Sequence, residues 1–290
     1  MKKLKIALGD LRHKTAGRHS VFMPIGIGLI ASYTLLQIGK EKIEIKLYDD
    51  AEVLLGDIDQ WQPDVIGLAN YCWNAELSRL VLNYAKKTNS LTICILGGPD
   101  FPTDDLECEQ YLIGRPDIDF YIYFDGEIAF AELIKKIGKG ETVESLKGNF
   151  QGGAMSICPS TKKLVKGELL PRPTNLDVIP SPYLSGLMDQ WFNGYYAPSI
   201  ETCRGCPFTC AYCCIGQARY KGIATHSIQR VKEELTYIAK KMQKYPEIFL
   251  SICDSNFGMY PRDEEIAKHC RFLQDKFGWP NVFDVTTGKA

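Results

Sequence analysis

The chain has 290 residues, 45% of them hydrophobic and 24% charged, with a formal net charge of −1. This is the balance of a soluble globular protein long enough for roughly two domains, and without a basic field neither nucleic acid nor an anionic membrane surface is expected as a partner. The opening apolar run is too short for a secretory leader, no stretch reaches about 18 uninterrupted apolar residues, and the cysteines are clustered or scattered singly, so a cytoplasmic location is expected.

Short β-branched or aromatic runs predict strands over 4–9, 42–48, 64–71, 91–97 and 118–123. Helical patterns lie between and after them, over 24–38, 51–60, 75–88, 104–113 and 127–137; the first has Pro24 at its start and Gly39 beyond its end. Alternating strands and helices predict an α/β fold with a doubly wound parallel sheet over residues 1–140. Ligands of such sheets bind beyond the carboxyl ends of the strands, here at Asp10, Asn70 to Asn74, Gly97 to Asp100 and Asp125 to Glu127.

Residues 141–197 change character. Gly148 to Gly153 read as a loop, 154–157 and 163–166 can pair as a hairpin, and prolines follow at 171, 173, 180 and 182, so this segment is expected to be a linker. From 198 the β/α pattern resumes: a strand over 198–202, a helix capped by Ser227 with Val231, Leu235, Ile238 and Met242 at helical spacing, and a strand over 248–253. A helix opened by Pro261 and its acidic first turn runs to about residue 277, and a third strand begins at 281.

Between the first strand and the Ser227 helix lies the densest chemistry in the chain. Five of the eleven cysteines fall within residues 202–214. Cys206, Cys210 and Cys213 are spaced C-x3-C-x2-C, with Tyr212 directly before the last. Three thiolates can hold three irons of a [4Fe-4S] cluster and leave the fourth open, whereas electron-transfer clusters of this kind usually take four cysteines. Adding Cys203 gives C-x2-C-x3-C-x2-C, which leaves a four-cysteine cluster or half of a structural zinc site open. Zinc ribbons, however, separate their knuckles by more than three residues. Cys203 and Cys214 are expected not to be ligands.

The triad resembles the signature of the radical S-adenosylmethionine (SAM) superfamily. The resemblance implies that Cys206, Cys210 and Cys213 hold the cluster, that SAM chelates the open iron, that Tyr212 lies near the adenine, and that the reduced cluster cleaves SAM to a 5′-deoxyadenosyl radical. It also implies the beginning of a partial (β/α) barrel over 198–290, with the cysteine loop at the carboxyl end of its first strand. Family members present polar groups to the amino end of SAM after the second strand, often as Gly-Gly-Glu. Here Cys253-Asp254-Ser255-Asn256 occupies that place, and Asp254 and Asn256 are the candidates, the alternative being that they cap the following turn.

Residues 1–140 are similar to the cobalamin-binding domain that precedes many radical SAM cores. The likeness rests on Pro24-Ile25-Gly26-Ile27-Gly28, Tyr71-Cys72-Trp73-Asn74, Gly97-Gly98-Pro99 and Asp125-Gly126-Glu127, and the segment 176–184 resembles the pre-core linker of the same proteins. It implies cobalamin contacts at Tyr71, Asn74, Gly97, Gly98 and Glu127, with the glycines letting backbone approach a bulky ligand; turn glycines of any flavodoxin-like fold are the alternative. Proteins that ligate cobalt from below use Asp-x-His-x-x-Gly, but Asp10, His13 and Gly17 are more widely spaced and His19 is no better placed, so no histidine is expected under the cobalt.

The resemblance therefore implies a radical SAM enzyme that uses cobalamin for methyl transfer, rearrangement or ring closure, with an external reductant such as flavodoxin or ferredoxin and an unidentified substrate. The alternatives are a radical SAM enzyme whose first domain no longer binds cobalamin, and a non-catalytic iron-sulfur or zinc module. A full barrel needs about six β/α units, so the sequence is expected to be the amino-terminal part of a longer protein.

Overall fold

A computed structural model describes residues 3–14, 20–150, 152–213, 215 and 220–287. The chain divides into two compact units: Met1–Ser20 with Gly26–Pro171, and Val21–Ile25 with Arg172–Ala290.

The first unit contains β1 (Leu4–Arg12), α1 (Ile25–Ile38), β2 (Ile43–Asp50), α2 (Ala51–Gln60), β3 (Val65–Ala69), α3 (Ala75–Thr88), β4 (Ile93–Gly97), α4 (Asp105–Ile113), β5 (Phe120–Ile122), α5 (Gly126–Gly138), α6 (Val143–Asn149), β6 (Ala154–Ile157) and β7 (Leu164–Lys166). Its sheet has the order β2-β1-β3-β4-β5-β6-β7. The first five strands pair in parallel and the last two join antiparallel. This is the doubly wound α/β fold, with the order reversing between β1 and β3.

Helices cover the sheet on both faces, which is why β3 and β4 are nearly continuous apolar runs rather than alternating ones. Leu54 and Ile58 of α2, Val81, Leu82 and Ala85 of α3, and Cys108 and Leu112 of α4 form one core with Ile66, Leu68, Cys94 and Leu96. At such positions each fully buried large side chain contributes about 1.5–3 kcal/mol. Opposite them, the Phe130 ring of α5 lies against Gly67, where an added Cβ would come within 3.1 Å of it. Asp50 caps α2 and Asp104 caps α4, each through side-chain oxygens accepting two main-chain N–H groups.

Within the segment expected to be a linker, residues 154–166 extend this sheet. The hairpin forms over the predicted residues, and Met155 then pairs with Tyr121 at the edge of β5. Helix α6 is tied down by Lys147, whose ammonium meets Asp119 at 2.8 Å while Lys86 of α3 meets the same carboxylate at 2.6 Å. A buried carboxylate is tolerated when it is paired in this way.

The second unit contains β8 (Ser199–Ile200), β9 (Cys203–Arg204), β10 (Ala224–Thr225), α7 (Ile228–Met242), β11 (Leu250–Phe257), α8 (Pro261–Phe277) and β12 (Phe283–Thr287). Strands β8, β11 and β12 form a parallel sheet in the order β12-β11-β8, with α7 and α8 as the crossovers, and β9 pairs antiparallel with β10. Ser227 caps α7 as its sequence predicts, and Val231, Leu235, Ile238 and Met242 are buried. Residues 176–184 pack into this unit. Tyr183 is fully buried, its hydroxyl donating to Ser199 O at 2.6 Å, and Arg230 of α7 reaches Ile179 O at 2.9 Å. The segment 21–25 joins it by main-chain bonds between Met23 N and Ala197 O and between Ala197 N and Val21 O.

No helix among the described residues is long and apolar enough to cross a membrane.

Candidate functional site

In the second unit the cysteine loop leaves β9 and returns to β10, so its two ends are fixed side by side: Thr225 pairs with Cys203, Ala224 with Arg204, and Cys206 N donates to Tyr220 O at 2.8 Å. Gly205 has φ +106°, and a Cβ there would lie 2.2 Å from Gly222 O, so the close approach of the two limbs demands glycine. Cys206, Cys210 and Cys213 are each half-buried, and Cys213 N donates to Cys210 O at 3.1 Å, closing a tight turn around the last two thiols. Tyr212 is exposed.

Cys203 stands apart from the other three. It is buried, and burial together with the negative charge of Asp254 pushes its thiol up to about 12, which disfavours the thiolate a metal ligand must supply. Cys214, Gly17 and His19 lie outside the described residues.

The carboxyl end of β11 faces the start of this loop. Asp254 is only 2% exposed. Its carboxylate accepts from Thr202 N at 2.7 Å, from the Thr202 hydroxyl and from Cys203 N at 3.1 Å. Burial holds its carboxyl above the usual range against these bonds. Two residues on, Asn256 Nδ2 donates to Cys206 Sγ at 3.1 Å. Both sequence candidates thus contact the cysteine segment itself, Asp254 from inside the fold. The turn after β11 is fixed separately by Asp263, whose carboxylate takes Gly258 N and Tyr260 N, each at 3.0 Å.

Sequence reasoning missed Arg262, whose guanidinium donates to Thr202 O at 3.1 Å and His226 O at 2.6 Å, stitching the first turn of α8 to the base of the loop. An arginine beside the Pro at a helix start carries no local signal of such a task.

Among the described residues no three His, Cys, Asp or Glu side chains converge on one point as metal ligands. The donor set nonetheless suits an iron-sulfur cluster: three thiols sit on one anchored loop, and one already receives an N–H. Among the described residues the Tyr260 hydroxyl is buried without a hydrogen-bond partner, and burial pushes its acidity below that of an ordinary tyrosine, with the Cys203 and Cys206 sulfurs close by. An orphaned polar atom beside the thiols is consistent with a site shaped for a further group.

In the first unit the carboxyl edge brings Asp10, the Tyr71–Asn74 loop and the Gly97–Asp100 turn together. Asn74 is buried: its Oδ1 accepts from Tyr71 N at 2.8 Å, and its Nδ2 donates to Asp10 Oδ1 at 3.0 Å and Leu11 O at 3.2 Å. It therefore bridges β1 to the loop after β3, across the point where strand order reverses. Tyr71 and Trp73 stack with ring centroids 4.5 Å apart, and Trp73 is exposed.

Gly98 has φ +144°, and a Cβ there would meet Asn70 O at 2.4 Å. Its lack of a side chain is thus demanded by the neighbouring main chain, an internal reason beside the expected ligand approach. Gly97 is less constrained, its added Cβ lying 3.1 Å from Ile122 O. Tyr121 donates to Gly98 O at 2.8 Å and accepts from Asn70 Nδ2 at 3.1 Å, locking the turn. Glu127 is buried in the first turn of α5, and His13 is half-buried just beyond β1.

A doubly wound α/β unit with a built carboxyl edge is followed in the chain by a parallel β/α unit that carries three thiols on the loop after its first strands. Among curated proteins, the chain is 28% identical over 281 residues to the 2-(S-pantetheinyl)-carbapenam-3-carboxylate methyltransferase of Streptantibioticus cattleyicolor, covering 92% of this chain and 39% of that protein. It is 28% identical over 285 residues to the cobalamin-dependent radical SAM methyltransferase TokK of Streptomyces tokunonensis, with the same two coverages of 92% and 39%. A solved structure of the cobalamin-dependent S-adenosylmethionine radical enzyme OxsB with aqua-cobalamin bound superposes with a TM-score of 0.70 at 18% identity, over 98% of this chain and 38% of that one. No family model matches. The chain is thus homologous, over most of its length, to cobalamin-dependent radical SAM methyltransferases, and spans about two fifths of the length of the curated relatives it matches.

Proposed function

We propose that the chain carries the cobalamin-binding and cluster-binding parts of a cobalamin-dependent radical SAM enzyme that transfers a methyl group. The observation that carries the reading is the triad Cys206, Cys210 and Cys213 on a loop anchored at both ends by β9 and β10. When bound, a [4Fe-4S] cluster of this type supplies an electron for the reductive cleavage of SAM, and cobalamin supplies a methyl carrier. The chain's own residues supply position: the three thiols would hold the cluster, the exposed Tyr212 would lie against an adenine, and Asp254 and Arg262 fix the strand end from which the loop departs. In the first unit Tyr71, Gly97, Gly98 and Glu127 form or support the cofactor-facing edge, and Asn74 holds it together from within. An external reductant of the flavodoxin or ferredoxin kind would deliver the electron.

The test is anaerobic reconstitution. Wild type should bind about four irons and four sulfides and convert SAM to 5′-deoxyadenosine when reduced. Cys206→Ala, Cys210→Ala and Cys213→Ala should each abolish the cluster, whereas Cys203→Ala should retain it. Retention in Cys213→Ala with loss in Cys203→Ala would refute the ligand set. A second reading, in which the first unit is purely structural, has one observation in its favour: Asn74 and Gly98 both serve internal contacts. Hydroxocobalamin titration followed by the visible spectrum separates the two.

A further inference from the structure

Asn256 and Cys206 are 50 residues apart in sequence, yet the amide nitrogen of one lies 3.1 Å from the sulfur of the other. Asn256 is held in that place by its surroundings. Two residues earlier Asp254 grips Thr202 and Cys203, and two residues later Gly258 N is held by Asp263 at 3.0 Å, so the strand end carrying Asn256 is pinned on both sides. The main chain of Cys206 is also tied to the returning limb, through Tyr220 O at 2.8 Å. Neither donor nor acceptor thus sits on a free end.

An amide N–H aimed at a cysteine sulfur places the positive end of a dipole against a ligand whose negative charge increases when the cluster is reduced. Hydrogen bonds of this kind stabilise the reduced cluster over the oxidised one and raise its potential. A methylene or a methyl group in the same place would remove that stabilisation without touching the iron ligands.

We infer that Asn256 is a positioning residue that tunes the cluster through an N–H···S bond to Cys206, easing its reduction, and that this is its role independently of any contact with SAM. The inference rests on the proposed cluster ligand set.

The experiment uses the full chain, reconstituted anaerobically without SAM, so that contact with SAM contributes nothing. Iron and sulfide content is measured first, and the midpoint potential is then read by redox titration followed by electron paramagnetic resonance. Asn256→Leu, which has similar volume and no donor, should keep wild-type iron content and shift the midpoint to a more negative value. Asn256→Ser, which offers a shorter donor, should show a smaller shift in the same direction and serves as the reading should the leucine variant not fold. Unchanged midpoints with full iron content overturn the inference and leave the ligand set standing. Loss of iron from both variants, with wild-type midpoint in whatever cluster remains, also overturns it, because the amide would then only hold the loop in shape. A wild type that forms no cluster removes the ligand set and the inference together.

Discussion

Thr202 and Asp254 are joined twice, the carboxylate accepting both the main-chain N–H of Thr202 at 2.7 Å and its hydroxyl. With Cys203 N as the third donor, this carboxylate is committed to the residues immediately preceding the cysteine triad. Asp254→Ala should strand three buried donors and lower stability by roughly 3 kcal/mol, since hydrogen bonds to charged groups contribute about 1.5–3 kcal/mol each and partly compensate when lost. Urea denaturation of the whole chain reads this directly. If stability is unchanged and only SAM affinity falls, the carboxylate serves SAM and not the loop.

Burial pushes the Asp10 carboxyl up to about 6, Arg12 opposing the rise and Asp49 adding to it. Between the ordinary value of 3.8 and about 6 the folded state holds a proton that the unfolded state has released. Stability attributable to this group therefore falls as pH rises through that window and is level above it. Asp10→Asn keeps an oxygen for the Asn74 amide, so it should flatten this slope and stabilise the chain at neutral pH by roughly 2 kcal/mol. Denaturation midpoints at several values across the window would show it; an unaltered slope in the variant assigns the pH dependence elsewhere.

Asp119 receives Lys86 at 2.6 Å, Lys147 at 2.8 Å and Cys94 N at 2.8 Å. Asp119→Ala should cost roughly 3–5 kcal/mol, because two partly buried ammonium groups lose their counter-charge. The loss should appear as an earlier thermal transition of the full chain. A transition at the wild-type temperature would mean that the lysines find solvent without penalty.

At Gly98 the backbone angle and the Asn70 carbonyl both exclude a side chain. Gly98→Ala should lower stability by roughly 1–3 kcal/mol, and Gly97→Ala by less. A Gly98→Ala protein as stable as wild type but unable to take up hydroxocobalamin would instead make ligand space the sole reason for the glycine.

The alternation of strands and helices over the first 140 residues is written in local pattern, and so is the cap Ser227, because each depends on a few neighbouring residues. The cysteine triad is equally legible because its spacing is its signal. The destination of the 154–166 hairpin is not, since joining β6 to β5 pairs Met155 with Tyr121 across intervening helices. Likewise, Asp254 and Asn74 are polar residues at strand ends, and nothing local says whether such a residue faces a ligand or turns inward to hold the fold. Their buried partners, 52 and 64 residues away, decide it.

The ladder between β9 and β10 bears on how hard it is to assemble a metal site. A chain segment free at one end must surrender the entropy of closing a loop before distant ligands can meet, a cost that grows with the logarithm of its length. Here Cys203 and Thr225 already stand opposite each other, and Cys206 is held to Tyr220. Closure is therefore completed when the protein folds, and the proposed cluster would have only the short arcs between Cys206, Cys210 and Cys213 left to arrange.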